Sequence, residues 1–334
     1  MITVIHSDEE RFASLWLKGL KVIPGATPMY SIGVRSFDKE IFASDIINDD
    51  SFVVVYSDDV VALVPLYRFS SENGQIEYRY GGEYLRAPLI GCARTPKRYG
   101  EIAKFIFDHI DFLANENHVT AHRAMIEGVE PIEGRHYYNY LTDYGYVDES
   151  TICQLIDITR SEQDLWADVR KSYRPLISRA KGNYDCELIT SDSFNVQKCD
   201  EYRLLHFKAA GRQTRSLKSF ELMYEMVKDS LGFIVLVRDK SGKTVASHFF
   251  YCCNIYCLYA SSAIDGDLPS SSGIGHLGLW QGIMAARNLG CRYVDMGQLR
   301  LTVNPSEKEQ NIALFKKGFG GHTVTVFRGT KNFQ

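Results

Sequence analysis

Between Ser270 and Gly321 the chain runs through a glycine-marked loop, a helix, a strand ending in Asp295, a second loop and a capped helix. It then closes on Phe315-Lys316-Lys317-Gly318-Phe319-Gly320-Gly321. Leu277, Trp280, Ile283 and Met284 recur at helical spacing and predict a helix over 274–289 that stops at Gly290. Residues 292–295 read as a short strand, and Ser306 with Glu309 has the spacing of a capping box for a helix reaching Lys317. Helices alternating with strands over so short a span predict an α/β fold. The same order gathers a helix start, a strand-end carboxylate and a lysine into one unit.

The rest of the chain supports two cores. Residues 334 in number and 45% hydrophobic exceed what one core of ordinary size needs. Both halves read as helix, hairpin, strand and helix, which places a boundary near Ser150 and predicts domains over 1–150 and 151–334. In the first half, Ser7 and Glu10 suggest a capped helix over 8–19, and Val53 to Tyr56 and Val60 to Tyr67 flank a turn at Ser57-Asp58-Asp59. A third strand is predicted over 75–80, with helices over 102–117 and 131–144. In the second half we expect a strand at 151–158, a helix over 164–181 broken near Pro175 and a strand at 186–190. Helices over 195–211 and 217–230 follow, then strands at 232–239, 244–251 and 255–262 and a closing strand at 322–328.

Composition excludes several classes. The net charge of −3 argues against a dedicated DNA binder. Residues 1–11 are polar and charged, unlike a secretory signal, and no apolar run approaches the ~20 residues of a membrane span. Eight scattered cysteines with no CxxC pair point to a reduced, cytoplasmic protein without a metal site. Cys252, Cys253 and Cys257 alternate within an apolar strand and read as core, with no nearby base to lower a thiol pKa.

Gly273-Ile274-Gly275-His276-Leu277-Gly278 matches the dinucleotide pattern G-x-G-x-x-G, but the polar stretch 263–272 separates it from the preceding strand, contrary to that motif's tight turn. Two other uses remain. The free first-turn amides of a helix opened by glycines can hold a pyrophosphate, which makes Ser272, Gly273, Ile274, Gly275 and His276 a candidate donor cradle. Alternatively, the glycines only permit close helix packing. Ser270-Ser271-Ser272-Gly273-Ile274-Gly275 resembles the Q/R-x-x-G-x-G/A coenzyme A loop of the GNAT acetyltransferases, with Ser270 in place of Gln or Arg.

Further motifs resemble one branch of that superfamily, the FemAB-like transferases. They are Arg170-Lys171-Ser172-Tyr173-Arg174, Gly211-Arg212-Gln213-Thr214-Arg215, Leu258-Tyr259-Ala260, Tyr293-Val294-Asp295-Met296-Gly297 and Phe315-Lys316-Lys317-Gly318-Phe319-Gly320. Val61 to Leu66 and Tyr80-Gly81-Gly82 resemble the first domain more loosely. The resemblance implies tandem GNAT-like domains, each a mixed sheet flanked by helices, with the acceptor between them. It also implies transfer of an acyl or aminoacyl group to an amine of a sugar or cell-envelope precursor.

On that resemblance Lys316 is the group expected to steady the oxyanion, against the alternative of a solvated lysine like Lys317. Asp295 can act as general base or merely cap a turn, with His248 and His276 in reserve. Lys171, Arg174, Arg215 and Tyr259 stand inside matched motifs and are expected to bind substrate, the basic ones through phosphate. No permanent cofactor is expected. The absence of a heptad arm leaves the donor open, and the retained Gly273-x-Gly275 makes acyl-CoA the expected co-substrate and aminoacyl-tRNA the alternative. A non-catalytic binding module of the same fold is the competing class.

Overall fold

The computed structural model describes residues 2–71, 74–81, 83–91, 96–128, 138–299 and 304–333. It divides into unit 1, Met1–Thr151 with Thr325–Gln334, and unit 2, Ile152–Val324. The strands are β1 (Ile2–His6), β2 (Ile46–Asp49), β3 (Phe52–Tyr56), β4 (Asp59–Val64), β5 (Tyr67–Ser70), β6 (Ile76–Tyr78), β7 (Leu85–Arg86), β8 (Leu89–Ile90) and β9 (Ala121–Met125). Then follow β10 (Val147–Asp148), β11 (Thr151–Asp157), β12 (Asp185–Ile189), β13 (Gly232–Arg238), β14 (Thr244–Cys253), β15 (Tyr256–Ile264), β16 (Tyr293–Gln298), β17 (His322–Val326) and β18 (Arg328–Asn332).

Unit 1 carries an antiparallel sheet in the order β1-β3-β4-β8 and a mixed sheet in the order β10-β18-β9-β6-β5-β2, with β7 also on β9. The β3–β4 hairpin turns on Ser57 and Asp58, both at positive φ (47° and 71°), the conformation a two-residue hairpin needs to match strand twist. Helix Pro96–Glu116 buries Ile102, Ile106, Phe107 and Ile110, the stripe its periodicity predicts. The capping box predicted at Ser7 is not formed. The first helix spans Phe12–Val22 from an uncapped Arg11, because β1 occupies the start of the chain and Ser7 bonds the Asp49 carbonyl instead. Helix Ile32–Ile41 and strand β2 have no counterpart in the sequence reading. Half of the helix expected over 131–144, residues 131–137, lies outside the described residues; Tyr140–Tyr144 forms a 3-10 turn closed by Gly145 at φ 85°.

Unit 2 is one seven-stranded sheet, β12-β13-β14-β15-β16-β11-β17. Strands β12 to β15 pair antiparallel in sequence, and β15 pairs β16 in parallel across helix Ile274–Asn288. That crossover needs the glycine-marked loop, since parallel neighbours cannot be joined by a hairpin. Phe233, Val235 and Val237 alternate along β13 into a core with Ile177, Ile274, Leu277 and Trp280. Helices Tyr173–Asn183 and Ile274–Asn288 therefore cover one face, whereas Tyr202, on Val196–Ala210, meets Phe249 and Phe220 on the other. The break expected at Pro175 falls earlier, between helices Glu162–Asp168 and Tyr173–Asn183. Pro175 sits in the first turn of the second helix, where its missing N–H removes no bond.

The closing strand predicted over 322–328 is two strands in different sheets. β17 joins unit 2, while β18 pairs β9 and β10, so the last ten residues belong with unit 1 and not with the domain assigned to 151–334. Both units are α/β, each with a mixed sheet and flanking helices. Among the described residues no helix is long and apolar enough to cross a membrane.

Candidate functional site

Strands β15 and β16 pair over three residues only, Tyr256 to Leu258 against Tyr293 to Asp295. Beyond Leu258 and Asp295, β15 runs on to Ile264 and β16 to Gln298 without further pairing between them among the described residues. Two parallel strands that part in this way leave a V whose inner edges carry backbone donors and acceptors not used by the ladder. Asp295 stands at its apex.

Asp295 is 4% exposed and its two oxygens are engaged, Oδ2 by the Tyr256 hydroxyl at 2.6 Å and Oδ1 by the Gly297 amide at 2.6 Å. The second bond holds Gly297 at φ 81°, a conformation that suits glycine. Asp295 therefore does cap a turn, as one of its two predicted readings has it. The partners Val294 and Met296 lie in the core beneath helix Ile274–Asn288, so the carboxylate emerges on the opposite face of the sheet.

Helix Glu307–Lys317 begins at Ser306 with the complete capping box, Glu309 bonding back to the Ser306 amide at 2.7 Å. Its last turn delivers Lys316 to the end of β16. There Nζ donates to the Gln298 carbonyl at 3.0 Å and would lie 3.0 Å from a Cβ on Gly297. Burial holds the Lys316 ammonium below its ordinary pKa, and the Asp295 charge opposes that shift. Lys316 is thus a desolvated ammonium facing a carboxylate, whereas its neighbour Lys317 is exposed.

The glycine-opened helix uses its glycines for packing. A Cβ on Gly275 would stand 2.6 Å from Ile264 Cδ1, one on Gly278 2.3 Å from His248 Nε2, and one on Gly282 2.1 Å from Phe250 Cζ. These three positions share one helix face, pressed on β14 and β15. Gly273 is the N-cap at φ 72° with no side-chain cap, its absent Cβ leaving room for the Leu176 carbonyl. Ile274, Gly275 and His276 supply the first-turn amides that have no partner within the helix. His276 meets Tyr173 at 4.4 Å and Phe315 at 5.1 Å between ring centroids, and Phe319 closes the group. The helix start and the Phe315-Lys316 pair are thereby joined through His276, although Lys316 itself turns toward β16. Ser272 is partly buried in the 3-10 turn Ser270–Ser272 that leads in.

The expected substrate residues do not form one cluster. Arg174 donates from Nε to the Val169 carbonyl at 2.8 Å and from Nη2 to the Ala167 carbonyl, which ties down the link between the two helices. Lys171 is exposed beside it. Arg215 lies on the other face, 4.6 Å over the Phe220 ring and 3.4 Å from the Tyr202 hydroxyl. Tyr259 is turned inward, its hydroxyl on Ser262 at 2.8 Å and its pKa raised by burial to about 12. His248 is fully buried with neither ring nitrogen bonded, so it is core. The V itself escaped the sequence reading, because strand separation leaves no mark in apolar periodicity.

No protein-family model and no curated protein sequence matches the chain. Solved structures do. The chain is similar to FemX at 11% identity and TM-score 0.67, covering 97% of this chain and 96% of that one. It is similar to L-PGS from Bacillus licheniformis at 12% identity and TM-score 0.60, covering 98% and 93%. A third likeness is to the C-terminal domain of an Agrobacterium fabrum protein assigned as a lysylphosphatidylglycerol synthetase, at 12% identity and TM-score 0.62, covering 96% and 92%. The likeness is one of fold, shared with FemX and the two synthetase structures over nearly the whole chain.

Proposed function

We propose that this chain is an N-acyltransferase that moves an acyl group from acyl-CoA to an amine of a sugar or cell-envelope precursor. The observation that carries the reading is the V between β15 and β16, with Asp295 at its apex and the Lys316 ammonium at the end of β16. A thioester laid between the strands would find backbone groups that the ladder does not use and a partly buried cation beside its carbonyl. Attack by a neutral amine builds negative charge on that carbonyl oxygen, and Lys316 stabilises it as it forms. Asp295 favours the protonated form of Lys316 and fixes the Gly297 turn; collapse of the tetrahedral intermediate breaks the C–S bond, and the amine's proton passes through solvent to the departing thiolate. The first-turn amides of Ile274, Gly275 and His276 take the donor's diphosphate, with Ser272 and Gly273 shaping the approach. Of the four residues expected to bind substrate, exposed Lys171 remains the candidate, since Arg174, Arg215 and Tyr259 are held by internal partners.

A second reading has aminoacyl-tRNA as donor. Two observations favour it: the packing role of Gly275 and Gly278 accounts for those glycines without any diphosphate, and the similar structures include an L-PGS and FemX.

Ligand changes separate the readings better than substitutions, since a side chain at Gly275 would also displace Ile264 from the helix face. Thiol release from acetyl-CoA and from S-acetylpantetheine, which lacks the diphosphate, is measured with amino-sugar acceptors. The amide cradle predicts a KM higher by about tenfold or more for the truncated donor. Equal KM values discard the cradle, and turnover only with charged tRNA replaces the thioester donor.

A further inference from the structure

Unit 1 contains a buried carboxylate without a cation. Asp38, on helix Ile32–Ile41, is 5% exposed, and among the described residues no Lys, Arg or His nitrogen lies within 4.0 Å of it. Among the described residues the Tyr80 hydroxyl donates to its side chain, 3.0 Å from Oδ1. Buried carboxylates are ordinarily paired, because a bare one forfeits its hydration with nothing in return. The neighbouring cations are already committed. Arg35 is bound to Asp49 at 2.7 Å and Ser51 at 3.0 Å and lies over the Trp16 ring at 4.2 Å, while Arg86 pairs with Glu127 and reaches Met125 Sδ at 3.1 Å.

Beside Asp38 lies a cavity of about 20 Å³. Asp38, Tyr67 and Leu85 form its buried floor, and Met29, Tyr80 and Arg86 its partly exposed rim. Tyr67 is 2% exposed and its hydroxyl has no hydrogen-bond partner. That phenol is near enough to Asp38 for the carboxylate to raise its pKa, so both groups address the same space. The volume suits one water-sized group and excludes a sugar ring or a nucleotide.

We propose that this cavity is a binding site for a primary ammonium at the tip of a slender chain, held by the free oxygen of Asp38 and the hydroxyl of Tyr67. An ammonium supplies the missing positive charge and offers three N–H donors to a pocket whose unsatisfied groups can accept. A ligand anion would meet the Asp38 charge, and a neutral hydroxyl would leave it uncompensated. The site is distinct from the β15–β16 opening, and its occupancy does not rest on the transfer reading, since binding needs no acyl donor.

The test uses the full chain without acyl donor and n-butylammonium as probe, with butan-1-ol as the neutral match, read by saturation-transfer NMR titration. Saturable binding of the ammonium alone is expected, weakened about tenfold to a hundredfold in Asp38→Asn and severalfold in Tyr67→Phe. Burial, opposed by Tyr80, Arg86 and Arg35, holds the Asp38 pKa at about 7, so affinity should rise roughly tenfold between about pH 6 and about pH 8. Of the charged groups at and around the cavity, Arg86 pairs with Glu127 and Arg35 with Asp49, and burial raises the pKa of the Tyr67 phenol, which therefore stays neutral in this range. Should Asp38→Asn fail to fold, the wild-type pH profile and Tyr67→Phe decide. Equal response to alcohol and ammonium, no binding, or affinity independent of both pH and Tyr67 would show that the cavity holds only a structural water and overturn the proposal.

Discussion

Lys316 illustrates how far a single residue could be read. Composition favoured a solvated lysine, and only the Phe-Lys resemblance singled it out; the structure adds that its amine is desolvated, bonded to the Gln298 carbonyl and opposed by Asp295. On the proposed mechanism Lys316→Ala should lower kcat by about a hundredfold to a thousandfold while KM changes little. Because the ammonium form is the active one and burial lowers its pKa, the rate should fall on the alkaline side below the usual lysine range of ~10.4. A pH–rate profile checks this. Two buried histidines carry a different prediction. His122 and His248 are held neutral by burial, their pKa values lowered to about 3. Between the unfolded value of ~6.5 and about 3 the unfolded chain binds more protons, so stability declines as pH falls through that window and is unaffected above it. The slope should approach ~1.4 kcal/mol per pH unit per histidine, read from denaturant melts at several pH values.

At the scale of elements, helix Ile274–Asn288 separates what sequence shows from what it hides. Its periodicity, its stop at Gly290 and the capping box of the following helix were legible, since each rests on local geometry. Close packing was one of the two uses read for the loop glycines, but what they pack against was not legible, because Ile264, His248 and Phe250 arrive from strands distant in sequence. Gly278→Ala should destabilise unit 2 by ~1–3 kcal/mol, since the His248 ring at 2.3 Å is fully buried and cannot withdraw as an exposed side chain would. Ser306→Ala, which removes a cap but no packing, should cost only ~1 kcal/mol. Thermal melts of the two variants provide the comparison. The β1 strand was missed for a related reason: residues 2–6 alternate too briefly to register, and only pairing with β3 makes them a strand.

For the whole molecule, the α/β class and a division near the middle followed from the repeated element order. The return of the chain did not, because 322–328 reads as one closing strand although β17 and β18 serve different sheets. Deleting Thr325–Gln334 should therefore unfold unit 1, which loses the β18 ladders to β9 and β10, while unit 2 keeps its core. Calorimetry should show the loss of one transition and the survival of the other. Asp38 lay outside every motif, and its significance depends on Tyr67 and Tyr80 closing over it from other elements. The V between β15 and β16 likewise belongs to tertiary structure, and the functional account stands on it. The most direct trial of that account is the initial rate of free-thiol release from acetyl-CoA in the presence of amino sugars, measured for the wild-type chain and for Lys316→Ala side by side. The account predicts acceptor-dependent release that collapses in the variant; acceptor-dependent release at the same rate in both proteins would contradict it.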